Sequence, residues 1–88
     1  MPKLVGVIKY EGKPFTGMLI VNDVNGNLMQ YAVKDGKPKS DINLRANFYT
    51  VQYVLENAPL VSSYPQYKWQ VPESEPLDFD KIVEDQLV

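Results

Sequence analysis

Polar and apolar side chains alternate with a period of two through most of the first 72 residues, and glycine and proline cut the alternation at short intervals. That period places successive side chains on opposite faces of a strand. Residues 3–10 (KLVGVIKY) put Leu4, Gly6, Ile8 and Tyr10 on one side and Val5 and Val7 on the other, as in a strand covered on both faces. Residues 15–22 (FTGMLIVN) divide into Phe15, Leu19 and Val21 against Met18 and Ile20, with Gly17 marking a bulge or a close backbone approach. Residues 28–34 alternate Met29, Tyr31 and Val33 against Gln30 and Lys34, and residues 40–46 point Ile42 and Leu44 inward. The longest run, 48–57, carries a stripe of Tyr49, Val51, Tyr53 and Leu55, and residues 67–71 turn Tyr67, Trp69 and Val71 inward.

The corners between these runs are explicit. Asn25-Gly26 is a strong hairpin signal because both residue types tolerate positive φ. Gly12/Pro14 and Asp35-Gly36 mark further turns, and residues 58–66 form a proline-bearing loop. Pro72 lacks an amide donor and ends ladder pairing. Six or seven short antiparallel strands in so short a chain predict an all-β fold, a small β-sandwich with Greek-key links, with a small barrel as the alternative architecture.

At residue 73 the pattern changes, so the chain reads as a sandwich domain over 1–72 and a proline-containing connector over 73–88. Asp78 suits a helix N-cap, and Phe79, Ile82, Val83 and Leu87 fall at i, i+3, i+4 and i+8, one face of a short amphipathic helix. About ten residues of helix are marginal alone and need a surface. That face either docks back on the sandwich or mates with another chain. Charge changes at the same place: residues 1–72 hold eight basic and five acidic side chains, residues 73–88 six acidic and one lysine.

Composition narrows the function classes. Eighty-eight residues at 44% hydrophobic suffice for one compact domain. Histidine and cysteine are both absent. Their absence removes the usual neutral-pH general base, thiolate nucleophiles, disulfides and the commonest transition-metal ligands, so neither catalysis nor a cofactor is expected. No run of Lys or Arg suggests nucleic acid. No apolar stretch reaches membrane-spanning length, and no signal-peptide pattern opens the sequence, so a soluble, cytoplasmic chain is expected.

Few groups invite a site. Glu73, Glu75, Asp78 and Asp80 could hold a calcium ion, but their spacing matches no EF-hand loop and two prolines stiffen the segment, which favours a solvated linker. Tyr49, Tyr53, Tyr67 and Trp69 could stack sugars, although their inward period favours core packing. Tyr64, beside Pro65, is the aromatic expected to be most exposed, and with Tyr67 it forms the candidate ligand loop. Ser62-Ser63 has no activating base.

The stretch GVIKYEGKPFTGMLIV, with Gly12, Pro14 and Gly17 in a G-x-P-x-x-G order, resembles the opening of prealbumin-like or carboxypeptidase-regulatory-like sandwich modules. LRANFYTVQYVL matches their Tyr-x-Val strand at Tyr49 and Val51, with Ala46-Asn47-Phe48 standing where such modules carry glycine. The ending WQVPESEPLDFDKIV is similar to the closing segment of such modules in bacteriophage and prophage tail, baseplate or head-fibre proteins, through Trp69, Val71, Pro72, Glu73, Ser74, Pro76 and Leu77. The resemblance implies a non-enzymatic attachment or spacer domain in a virion. It also implies a protein partner or self-association, trimeric by analogy with phage fibres. The alternative is a carbohydrate- or cell-surface-binding module using loops 23–27, 35–38 and 58–66 at one end of the sandwich.

Overall fold

A computed structural model of the chain describes residues 4–57, 64–73 and 76–87. Ten strands follow in order among them: β1 (Leu4–Val5), β2 (Lys9–Tyr10), β3 (Lys13–Pro14), β4 (Gly17–Asp23), β5 (Leu28–Lys34), β6 (Lys37–Pro38), β7 (Phe48–Leu55), β8 (Gln66–Gln70), β9 (Leu77–Asp78) and β10 (Val83–Gln86). A 3₁₀ turn, Phe79–Lys81, lies between the last two. The fold is all-β and sandwich-like, as the alternation predicts.

The longest alternating runs make the main layer, a six-stranded antiparallel sheet in the order β10-β8-β7-β4-β5-β6. Register puts Val21 between Met29 and Val51, and Leu19 between Tyr31 and Tyr53, so the predicted inward stripes fall in rows on one face. Those rows, with Trp69 and Val71, are buried, except that Met29 is half-buried and Leu55, expected at the end of the inward stripe, is 47% exposed because the second layer does not fully cover the end of β7. The second layer is irregular. The β2–β3 hairpin and the parallel β1–β9 pair cover the inner face together with the 3₁₀ turn, burying Ile8, Phe15, Leu77 and Phe79 in one core.

Gly17 sits where the two layers and β7 converge. Its φ is +152°, and a Cβ there would lie 2.2 Å from the Val54 carbonyl oxygen and 2.8 Å from the Phe15 ring. The close backbone approach expected from the sequence is present. The 23–27 hairpin also forms, but through different turn chemistry. Gly26 alone takes positive φ, and its N–H donates to the Asp23 carbonyl, giving a three-residue loop instead of a two-residue one. Asp23 Oδ1 accepts from the backbone N–H of Asn25 and Asn27, each at 2.9 Å. The Asn27 side chain, then its backbone N–H, hold the Asp23 carboxyl below the usual carboxylate range.

Three expectations are corrected. Residues 3–10 are not one strand: Gly6, at φ +80°, breaks the run, and β1 and β2 pair with different partners. A Cβ on Gly6 would lie 2.5 Å from Asp78 Oδ1 and 2.9 Å from the Asp80 amide nitrogen, so the break lets the C-terminal segment seat. Residues 40–46 form no strand either. The chain must return from edge strand β6 past β5 and β4 to reach β7, and it does so over the covered face. Ile42 is buried there and Leu44 packs on the core, so the alternation persists without a ladder. At the end of this crossover the Ala46 N–H donates to the Tyr49 hydroxyl at 2.6 Å.

The largest correction concerns the C-terminal segment. No amphipathic helix forms over 78–87. Asp78 does accept from the Asp80 N–H at 3.0 Å as a cap, but Ile82 is extended (ψ 126°) and stops the 3₁₀ turn. Residues 83–86 then pair with β8, and the Leu87 N–H extends the ladder to the Gln66 carbonyl. A ten-residue helix lacks the length to be stable by itself, whereas the open edge of β8 offers this segment a ladder of backbone hydrogen bonds. Residues 77–86 thus share the core and the sheet with the described residues of the first 72 and do not lead away as a connector.

Candidate interaction surface

Concave regions flank the main sheet on both faces. On the covered side, the β2–β3 hairpin and the C-terminal segment frame a cleft of about 200 Å³ lined by Tyr53, Trp69, Phe79 and Glu84. Its wall is an aromatic cluster centred on Tyr53, whose ring centroid lies 4.8 Å from that of Tyr10, 5.1 Å from Phe15 and 5.3 Å from Tyr67. The Tyr53 hydroxyl donates to Glu84 and accepts from Trp69 Nε1 at 3.0 Å. Burial first, and the Glu84 carboxylate second, push the Tyr53 hydroxyl far above its ordinary range. Its proton is therefore fixed in place, and the group ties β7, β8 and β10 together. At the cleft rim Lys9 Nζ lies 3.1 Å from Asp80 Oδ1, a solvent-exposed pair that adds little.

Among the described residues no second layer covers the opposite face of the same sheet. Its outward positions follow from register: Met18, Ile20 and Asn22 on β4, and Phe48, Thr50, Gln52 and Val54 on β7. None of these side chains is charged, although 23% of the chain is. Leu28, Gln30 and Ala32 continue the same surface on β5. Charges flank these three strands on both sides, with Lys37 on β6 beside Lys34 and Lys68 on β8 beside Thr50. Lys34 closes the β5 row, while Lys68 on β8 lies opposite Asp85 on β10. Lys68 Nζ sits 4.8 Å over the Phe48 ring, a cation–π contact. At one end a groove of about 380 Å³ runs between Val24, Phe48, Thr50, Lys68 and Leu87. Val24 is 73% exposed, and Leu28, Phe48 and Met18 are exposed as well.

The candidate residues separate on this framework. Phe79, 8% exposed, belongs to the core, and Ile82 packs against it from the margin. Val83 (54%) and Leu87 (42%) point to the open face, Val83 in the row of Gln70 and Phe48, and Leu87 into the groove. The four do not form one face. Tyr67 lies on the covered side, its ring against Tyr10 and Tyr53, and burial followed by its bond with Tyr10 raises its hydroxyl above the ordinary range. Tyr64 is half-buried near the start of β8, and its carbonyl accepts from Gln52 Nε2 at 3.4 Å. The two tyrosines therefore do not share an exposed platform.

Nor do the three loops share an end. Loop 23–27 follows β4, whereas the Asp35-Gly36 turn lies at the opposite end of the sheet, where β7 also finishes. Residues 58–63, with Ser62-Ser63, lie outside the described residues, as does Glu75. Of the remaining acidic residues, Glu73 accepts from Asn47 at 3.1 Å, Asp78 caps the 3₁₀ turn and Asp80 faces Lys9. Among the described residues no three His, Cys, Asp or Glu side chains converge as metal ligands. None of their helices is long and apolar enough to cross a membrane.

The open face was not singled out in the sequence, although its signal is present there. Residues 17–22 of β4 and all of β7 are uncharged on both sides of the alternation, and the sheet order leaves one of those sides without a second layer among the described residues. No family model, curated protein or solved structure matches the chain.

Proposed function

We propose that this chain is a non-enzymatic interaction module, a small β body that attaches to another protein through the open face of its main sheet. The single observation that supports this most is the uncharged centre of that face, from Met18 and Ile20 to Phe48 and Val54, with Lys68 and Asp85 held at its margin. A solvated antiparallel sheet face is ordinarily polar along each strand. A surface depleted of charge at its centre and polar at its rim has instead the composition of a protein–protein interface. The setting we propose, from the resemblance of its motifs, is a bacteriophage or prophage virion protein, where such modules serve as attachment or spacer domains of tails, baseplates or fibres. The lack of His and Cys supports the non-enzymatic part of this reading.

A photo-crosslinking amino acid placed at Gln52, in the middle of the face, and at Lys13, on the β3 hairpin away from it, tests the reading in the native host. A defined protein adduct from position 52 and none from position 13 is expected. Equal adduct patterns, or none at either position, would refute it.

A further inference from the structure

We infer that the occupant of the open face is a second copy of this chain, packed sheet on sheet about a two-fold axis. The inference rests on the proposed interaction reading and adds the identity of the partner. In a two-fold interface each copy presents the same patch, so any charge at the centre meets its own image or a close neighbour of it. The central positions on β4 and β7, among them Ile20, Asn22, Thr50 and Gln52, carry none. This surface therefore meets itself without repulsion. On one side it offers both signs, since Lys68 and Asp85 are register partners on β8 and β10, while the other side carries Lys34 and Lys37. Each copy can thus present a lysine and a carboxylate to the other's rim.

Size points the same way. Five adjacent strands about 4.8 Å apart and up to about 20 Å long span roughly 500 Å² in projection. Two copies covering that area bury about 1,000 Å² in total, the least that a specific interface needs. The free edges do not compete well for this role. In a two-fold antiparallel pairing of β10 that centres on Glu84, the two Glu84 side chains oppose each other, and β6 is only two residues long and carries Pro38. Face-to-face packing leaves both edges as they are and covers the apolar side chains that the monomer exposes.

Sedimentation velocity on the full chain from about 1 μM to about 1 mM is the test, with Thr50→Lys and Gln52→Lys as variants whose folding is checked by circular dichroism and Trp69 fluorescence. The expected result is a concentration-dependent dimer whose Kd rises at least tenfold in either variant. A monomer across the whole range overturns the inference, as does a dimer indifferent to both substitutions. Should both lysine variants fail to fold, the crosslinker at Gln52 in purified chain decides: an adduct of twice the chain mass supports the dimer, and its absence overturns it. The host crosslinking experiment keeps the two readings apart. A monomeric chain that yields an adduct with a different protein at position 52 removes the dimer and leaves the interaction module, whereas a monomer without any adduct removes both.

Discussion

Replacing Phe79 with alanine puts a number on the claim that the C-terminal segment belongs to the core. Phe79 is 8% exposed and joins the buried cluster that contains Leu77, Trp69 and Ile8. A buried Phe→Ala change costs about 3–5 kcal/mol, from lost transfer energy and the cavity left behind. The lower end applies here, because Phe79 sits beside the solvent-lined cleft and its neighbours can partly relax. A domain of this length holds roughly 4–13 kcal/mol in total. The substitution therefore removes a large share of the stability, and with a urea slope of about 1–1.5 kcal/mol/M the midpoint falls by roughly 2 M. Trp69 fluorescence during equilibrium urea unfolding reads this directly. Leu87→Ala is the matched control, since Leu87 is 42% exposed on the opposite face, and it should move the midpoint by under about 0.5 M. A helix presenting Phe79 and Leu87 on one stripe would make the two variants alike. Equal midpoint shifts, or an unchanged midpoint in Phe79→Ala, would refute the placement of this segment.

Two further expectations follow from backbone geometry and from the tyrosine at the centre of the aromatic cluster. Gly17→Ala should destabilise by at least about 2 kcal/mol, because the new methyl meets the Val54 carbonyl at 2.2 Å and the φ of +152° is a glycine conformation, whereas Gly12→Ala, in open space, should cost about 1–2 kcal/mol; thermal unfolding of the pair should rank them in that order. Tyr53 carries a raised folded-state pKa, so its contribution is fully present below the ordinary tyrosine range near pH 10 and is lost as pH rises above it; the fall in stability between about pH 10 and 11.5 should be shallower in Tyr53→Phe than in the native chain, measured by urea titration at each pH. An identical slope in both proteins would contradict the buried, Glu84-bound hydroxyl.

The sequence by itself determined what depends on neighbouring residues. Alternation located β4, β5, β7 and β8, and the inward stripes of Leu19, Tyr31, Val51 and Trp69 are the buried rows. Glycine and proline placed the corners, because positive φ and a missing amide donor are local properties of a residue. Where a segment's partner lies far along the chain, local pattern was insufficient. Residues 40–46 have the alternation of a strand, yet they cross over the sheet, since nothing within seven residues encodes that β7 must be reached from the far edge. Residues 79–87 satisfy a helical spacing, and only the vacant edge of β8 and the close approach of residues 78–80 to Gly6 selected the strand. The same holds for the candidate surface. Both sides of β4 and β7 carry apolar residues, so period alone does not say which face is covered; strand order and the crossover decide which face receives the second layer. Hydrophobic pattern reports how much a side chain favours burial, but the element that buries it is set by contacts whose sequence separation exceeds any local window.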